Sequence, residues 1–336
     1  MRKLITLLML FMISVLFAQE KQEDFGKKIS INGSVDAYYQ TYLSASDRLS
    51  PPFGTSFVDE TGFALGMANI VASYEDNKTG VVVDMVFGPR GDAAIGQNRG
   101  EGYEGYYINQ LYVYWDVAEN TRLTLGRFNT FLGYEVISPL GNFNYSTSYL
   151  FSNGPFSHVG LKADFALGDD FSLMLGVMNP TDTNNNTTGG YAVGAQLGYA
   201  NHFLNLYYDN DEVLGFEIDY TGGFDFSEAF FLGLNAAYQT SNDSGFYGAA
   251  LYPQWTSSEV FSLGLRGELF GYHQKDVDDL PNVFGLTLTG SYVVENLTIK
   301  PEIRLDSWAH NMPYLDADGM ASDNLAAFTL AAIYSF

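Results

Sequence analysis

From residue 29 onward, apolar and polar side chains alternate along most of the chain. Successive side chains of a β-strand point to opposite faces, so a period of two marks a strand with one apolar face. In 260–273, Phe261, Leu263, Leu265 and Leu269 share one face, and Ser262, Gly264, Arg266 and Glu268 the other. In 297–306, Leu297, Ile299, Ile303 and Leu305 oppose Lys300, Glu302, Arg304 and Asp306. The pattern predicts sixteen strands, within a range of 14–18. They lie near 29–43, 61–74, 79–88, 106–117, 121–132, 156–168, 171–179, 190–200, 202–209, 213–220, 229–239, 245–257, 260–273, 283–294, 297–306 and 325–336. Their ends are soft by about 2–4 residues.

The connections sort by length. Glu75–Lys78, Ala118–Asn120, Gly168–Asp170, Ala200–Asn201, Ser257–Glu259 and Glu295–Asn296 read as tight turns. Longer pieces, 44–60, 89–105, 133–155, 180–189, 274–282 and 307–324, fall between them. Two later connections, 209–212 and 221–228, break the rule. Short turns on one side and long loops on the other are the habit of a transmembrane barrel. Each strand is near the roughly 9–11 residues that cross a bilayer at a tilt. The longest internal piece, 133–155, is rich in Phe and Tyr and poor in charge, unlike a disordered segment. It is expected to be ordered and folded into the lumen.

Composition agrees. Aromatics make up 16% of the chain and charged residues only 16%, against roughly 25% in soluble domains. Cysteine is absent, which excludes disulfides, thiolate metal sites, a cysteine nucleophile and N-terminal lipid attachment. Residues 1–18 read as a secretory signal: Arg2 and Lys3, an apolar run from Leu4 to Phe17, and Ala18 before a cut at Gln19. Leu16, three residues before the cut, is larger than usual. Residues 19–28 are a polar tail, and 29–336 form the barrel. No later run reaches the ~20 apolar residues of a membrane helix. The last strand ends on Phe336, with Phe328, Leu330, Ala332 and Tyr334 on its face, a signal for outer-membrane assembly machinery.

In hydrocarbon every backbone polar group needs a partner, so the sheet must close. Sixteen strands enclose more than side chains fill and leave an aqueous channel. Asp36, Asp84, Asp116, Lys162, Asp164, Glu217, Asp219, Arg266, Glu268, Lys300, Glu302, Arg304 and Asp306 all oppose the apolar register. Ions on that scale are expected to face water. Arg127 shares parity with Leu123 and Leu125, so a bulge near Gly126 is expected to turn it inward; the alternative places it above the apolar band. Tyr38, Tyr39, Tyr42, Tyr112, Tyr114, Trp115, Tyr207, Tyr208, Tyr252 and Trp255 cluster near strand ends, as girdles or pore lining.

An ordered set of short motifs runs along the chain: Gly126-Arg127-Phe128, Gly133-Tyr134-Glu135, Asn144-Tyr145, Ser148-Tyr149-Leu150-Phe151, His158 with Gly160, Arg266-Gly267-Glu268-Leu269-Phe270, and Pro301-Glu302-Ile303-Arg304. In this set the chain, from about residue 30 to its end, resembles the OmpL-like putative β-barrel porin family of Gram-negative outer membranes. The resemblance implies an outer-membrane channel with no single established substrate. Thr147 stands where the family often has Arg, and Asn179-Pro180 where it often has Asn-Gly, so an anion preference does not carry over.

Other motifs carry less. Ser157 and His158 point to opposite faces, which argues against a hydrolase. Asp316-Ala317-Asp318-Gly319 lacks the spacing and closing Glu of a calcium loop. It and the cluster Asp276, Asp278, Asp279 read as solvated loops, or as cation bridges to lipopolysaccharide phosphates. Gly88-Pro89-Arg90-Gly91 and 100–105 read as flexible loops with no helix following, and so not as phosphate cradles. The net charge of −23 argues against nucleic acid. No catalytic residue, metal site or cofactor is expected.

The constriction is expected to set Glu135 against Arg127, Lys162, Arg266 and Arg304, with Glu268 and Glu302 pairing with them and Asp164, Lys300 and Asp306 lining the wall. The expected function is passive diffusion of small hydrophilic solutes. A sugar or peptide channel with Phe143, Tyr145, Tyr149 and Phe151 as a stacking track is the second reading, and a non-conducting structural or adhesive barrel the third. Expected partners are outer-membrane lipid and lipopolysaccharide, with a homotrimer left open.

Overall fold

Alternation of this kind needs a closed sheet, and the computed structural model, which describes residues 28–96 and 107–336, has one. Its wall is built from β1 (Ile29–Tyr42), β2 (Gly62–Asp76), β3 (Thr79–Phe87), β4 (Ile108–Ala118), β5 (Thr121–Asn129), β6 (Ser157–Ala166), β7 (Phe171–Met178) and β8 (Ala192–Tyr199), followed by β9 (His202–Tyr208), β10 (Phe216–Ser227), β11 (Phe230–Ser241), β12 (Ser244–Ser258), β13 (Phe261–Gln274), β14 (Asn282–Val294), β15 (Leu297–Ala309) and β18 (Asn324–Ser335). All neighbours are antiparallel, and β18 pairs with both β15 and β1 to close the ring. Sixteen strands form the barrel, as the periodicity predicts. A small hairpin of β16 (Tyr314–Leu315) and β17 (Ala321–Ser322) stands apart in the last long connection. Residues 1–27, which hold the proposed signal, and 97–106 lie outside the described residues.

The two faces behave as the alternation requires. On β15, Ile303 and Leu305 are exposed, whereas Glu302, Arg304 and Asp306 are buried. Closure is completed at the chain end: Gly33 N–H donates to the Phe336 carbonyl and Phe336 N–H to the Gly33 carbonyl, each at 3.0 Å. Only glycine fits at residue 33, because a Cβ there would run into the backbone oxygen of Asn69 as well as the Phe336 ring.

Three expectations need correction. β10 does not stop at residue 220; it runs through Gly222 and Gly223 to Ser227, paired with β11 throughout. The long connection is therefore 209–215 and the short one 228–229, which restores the alternation of loop lengths. A different exception appears at Asn242 and Asp243, a two-residue turn on the long-loop side with both residues at positive φ. Finally, Pro89–Gly96 is a helix, α1, not a flexible loop. Pro89 opens it, where a missing N–H does no harm and a fixed φ helps. A second, short helix, α2 (Tyr149–Asn153), is capped by Ser148, whose hydroxyl accepts from Phe151 N–H at 3.0 Å.

The girdle residues divide. Trp115, Tyr208 and Trp255 are exposed on the outer face, and Tyr39 is half-buried. Tyr38, Tyr42, Tyr207 and Tyr252 are buried on the inner one.

Candidate functional site: the inner wall and the segment after β5

The connection 130–156 has little regular structure, so its backbone N–H and C=O groups need partners from elsewhere. Many come from inward-facing side chains on three strands, β10, β13 and β15. Glu302 of β15 accepts Tyr145 N–H at 2.7 Å and Ser146 N–H at 3.1 Å. Glu268 of β13 accepts Tyr149 N–H at 2.9 Å and Leu150 N–H at 2.8 Å, at the opening of α2, where a negative charge is favoured. The carbonyls are met by cations. Arg266 donates to Ser146 O at 2.6 Å, Arg304 to Thr147 O at 2.8 Å, and Lys300 to Pro139 O and Asn142 O at 3.0 and 2.6 Å. Asn144 donates to Thr289 of β14 at 2.7 Å, and Gly133 N–H to Asp219 of β10 at 2.9 Å.

Two tyrosines extend this. The Tyr145 hydroxyl donates to Asp36 of β1 and the Tyr149 hydroxyl to Asp306 of β15, both at 2.6 Å. Burial pushes both hydroxyls above their ordinary value, so they remain donors. Tyr149 also stacks on Phe270, and Leu150 packs with Phe246, Ala250 and Val283.

The charges expected to face one another across water are instead in contact. Arg266 donates to Glu135 at 2.7 Å, and Arg304 to Asp306 at 2.9–3.0 Å. Arg127, Glu135, Arg266, Glu268, Lys300, Glu302, Arg304 and Asp306 are all buried, none more than 6% exposed. The expectation that these ions face a watery lumen is corrected: the segment after β5, to which Glu135 belongs, supplies hydrogen bonds to Arg266, Glu268, Lys300, Glu302, Arg304 and Asp306. Tyr145, Tyr149 and Phe151 are buried too, which leaves no open stacking track; Phe143 is half-buried.

Arg127 departs from both its expected neighbours and its expected cause. The register of β5 against β4 and β6 runs unbroken through Gly126, which absorbs a φ of 138°. The irregularity lies instead between β3 and β4, at Asp84/Met85. Arg127 is held near the end of β5, donating to Asn109 O at 2.9 Å and to Asn184 of the connection after β7 at 2.6 Å.

Lys162 and Asp164 lie on another stretch of wall and remain partly exposed. They belong to a ladder of alternating charge across three strands. Asp116 pairs with Arg122 at 2.6 Å, Arg122 stands opposite Asp164, and Asp164 pairs with Lys162 at 2.6 Å. With Glu119, Gln196 and Ser172 the first three line a cavity of about 380 Å³ at the short-turn end of the barrel.

Sequence reasoning missed two contributors. The connection after β1 brings Phe53 and Phe57 inward: Phe53 O lies 2.5 Å from the Tyr149 hydroxyl oxygen and shares its proton with Asp306, and Phe57 packs on Phe151 and Phe156. Helix α1 adds Ala94, Ile95 and a fully buried Arg90. The aromatic residues in 44–60 were the available signal, the same one that marked 133–155. Asp316, weighed as a calcium ligand, caps its own turn by accepting Asp318 and Met320 N–H.

Asp182, in the connection after β7, accepts Phe156 and Ser157 N–H at 3.0 and 2.9 Å. Burial pushes its carboxyl from 3.8 up to about 6. The folded chain therefore holds this proton more tightly than the unfolded one. The group's contribution to stability is greatest below about pH 4 and falls as pH rises towards 6. A shift of this size is roughly 3 kcal/mol. Asp182→Asn is expected to flatten the pH dependence of thermal unfolding over this window and to match or exceed the wild type at pH 7. A steeper dependence would refute the assignment.

Residues 28–336 match the model of a family described as "Putative beta-barrel porin-2, OmpL-like". The chain belongs to this family. As a porin-family barrel it resides in the outer membrane, in line with the solved structures it resembles. One is the outer membrane channel DcaP of Acinetobacter baumannii, with a TM-score of 0.58, 11% identity, and 92% of this chain and 97% of that chain covered. Another is OmpT of Vibrio cholerae in its trimer form, with a TM-score of 0.55, 9% identity, and 92% and 99% covered. A mutant of the Rh. blastica porin has a TM-score of 0.50, 14% identity, and 92% and 100% covered. At these identities the likeness is one of fold. No curated protein sequence matches the chain.

Proposed function

We propose that this porin-family barrel is a passive diffusion channel for small hydrophilic solutes, and that the segment 133–155 lies in the lumen as its constriction. The observation that carries the reading is the set of hydrogen bonds from this one connection to inward side chains of β1, β10, β13, β14 and β15. Below it, the partly exposed ladder Asp116, Arg122, Asp164 and Lys162 lines the periplasmic vestibule, taking the short turns as periplasmic. The net charge of −23 supports a modest preference for cations. Planar-bilayer reversal potentials in a KCl gradient test this: a shift towards the potassium potential is expected, and clear anion selectivity would contradict it.

Further parts of the reading are the removal of residues 1–18 as a secretory signal, recognition of the strand ending in Phe336 by assembly machinery, and contact of the acidic long loops with lipopolysaccharide through divalent cations. A homotrimer is proposed by analogy with the trimer form of OmpT. The non-conducting barrel is the second reading, favoured by the burial of the charges beneath 133–155. Purified, folded protein that gives no conductance with or without that segment would select it.

A further inference from the structure

Arg90 has no accessible surface. Among the described residues no carboxylate pairs with it at ion-pair distance. Its guanidinium donates to Ile137 O at 3.3 Å and to Tyr145 O at 2.9 Å. It lies over the rings of Phe57, at 4.9 Å, and Tyr145, at 4.8 Å. Its Nε has no hydrogen-bond partner. A buried cation is tolerable only where several groups stabilise it, and here they come from two different connections. Arg90, on α1, thus joins three pieces of chain that also share an apolar cluster: Ala94 and Ile95 of α1, Phe57, and Ile137, Phe151 and Phe156.

The segment 133–155 is therefore held on two sides by different means. Towards β13–β15 it is held by Glu268, Lys300, Glu302 and Arg304. Towards β2 and β3, against which α1 packs, Arg90 supplies the polar contact. We propose that Arg90 is the positioning residue that keeps this side of the segment seated and so sets the open fraction of the channel. Moving the segment off Arg90 strips the guanidinium of its carbonyl and ring partners. Water entering the lumen replaces them, so unseating and opening are one event. The inference rests on the porin reading above.

Arg90→Met keeps the bulk of the side chain and removes the charge. Single-channel recordings are expected to show a several-fold higher open fraction, with Arg90→Lys closer to wild type because one cation can still serve one carbonyl. A second device holds the same side directly. Ser56 N–H donates to the Ser152 hydroxyl at 2.8 Å, and the chain has no cysteine of its own. In Ser56→Cys/Ser152→Cys, oxidation is expected to lower the open fraction in the wild-type and Arg90→Met backgrounds, and reductant to restore it. An Arg90→Met barrel that folds and conducts like wild type overturns the proposal. Should that variant not fold, a cross-link that leaves the otherwise wild-type channel unchanged overturns it. If deletion of 136–152 conducts while Arg90→Met does not differ from wild type, only the role of Arg90 falls. If the deletion is silent as well, the porin reading falls and takes this inference with it.

Discussion

Deletion of residues 136–152 is expected to raise single-channel conductance several-fold. A sixteen-strand barrel encloses a lumen wider than its own side chains fill. On the proposed reading the connection 133–155 enters that space, and its backbone is bonded by Glu268, Lys300, Glu302 and Arg304 from the wall. Removing it returns those ions to water, where they cost little. It also removes Tyr145 and Tyr149 from the centre. None of the wall pairing passes through the deleted residues, since β5 and β6 pair directly from Thr121↔Phe165 to Asn129↔Ser157. The barrel is therefore expected to assemble, and planar-bilayer recordings with a marker of folding, such as heat-modifiable gel mobility, report on both. Conductance equal to wild type in a folded deletion would remove the segment from the conduction path.

Arg266→Met should destabilise the barrel by about 3–5 kcal/mol, the range for breaking a buried ion pair by removing one partner. Arg266 donates to Glu135 at 2.7 Å, to Ser146 O at 2.6 Å and to Thr287 at 3.1 Å, and all of these are buried. Without it, Glu135 still accepts Ser148 N–H at 2.7 Å but carries a charge with no counterion in contact. Glu135→Gln in the same chain is expected to recover part of the loss, because the uncompensated charge goes with it. Denaturant midpoints of the single and double variants measure this. Strictly additive losses would mean that the pair is not coupled and that the ions are solvated after all.

The fold was largely legible because its cause is local. A period of two fixes which face of each strand is apolar, and Ile303 and Leu305 against Glu302, Arg304 and Asp306 shows how directly burial follows it. Errors fell where the local signal had two readings. Gly222 and Gly223 look like a turn, but they remain paired with Leu234 and Gly233, and the ring of Phe231 lies against the bare face of Gly223. Pro89 looks like a breaker, but at the first position of a helix it is a start. Parity also says nothing of height along the barrel axis, which is why Arg127 could be given a face and not its partners, Asn109 and Asn184.

The site was less legible than the fold, for a physical reason. Strand periodicity identifies inward charges, yet whether they face water depends on a connection far away in sequence. Glu302 meets Tyr145 and Ser146 across 157 and 156 residues, and Asp306 meets Tyr149 across 157. The aromatic content of 133–155 marked it as ordered. It did not tell that the backbone, more than the rings, would be the part recognised by ions. Nor did it tell that 44–60 and α1 would share the same space.

Accessibility of one lumen position tests the account most directly. Thr289 is fully buried beneath Asn144 on the inner face of β14, and no native cysteine competes for label. A membrane-impermeant thiol reagent applied to Thr289→Cys in lipid vesicles is expected to leave it unlabelled in the full chain and to label it rapidly once 136–152 is deleted. Rapid labelling in both proteins would contradict a lumen occupied by the chain's own segment.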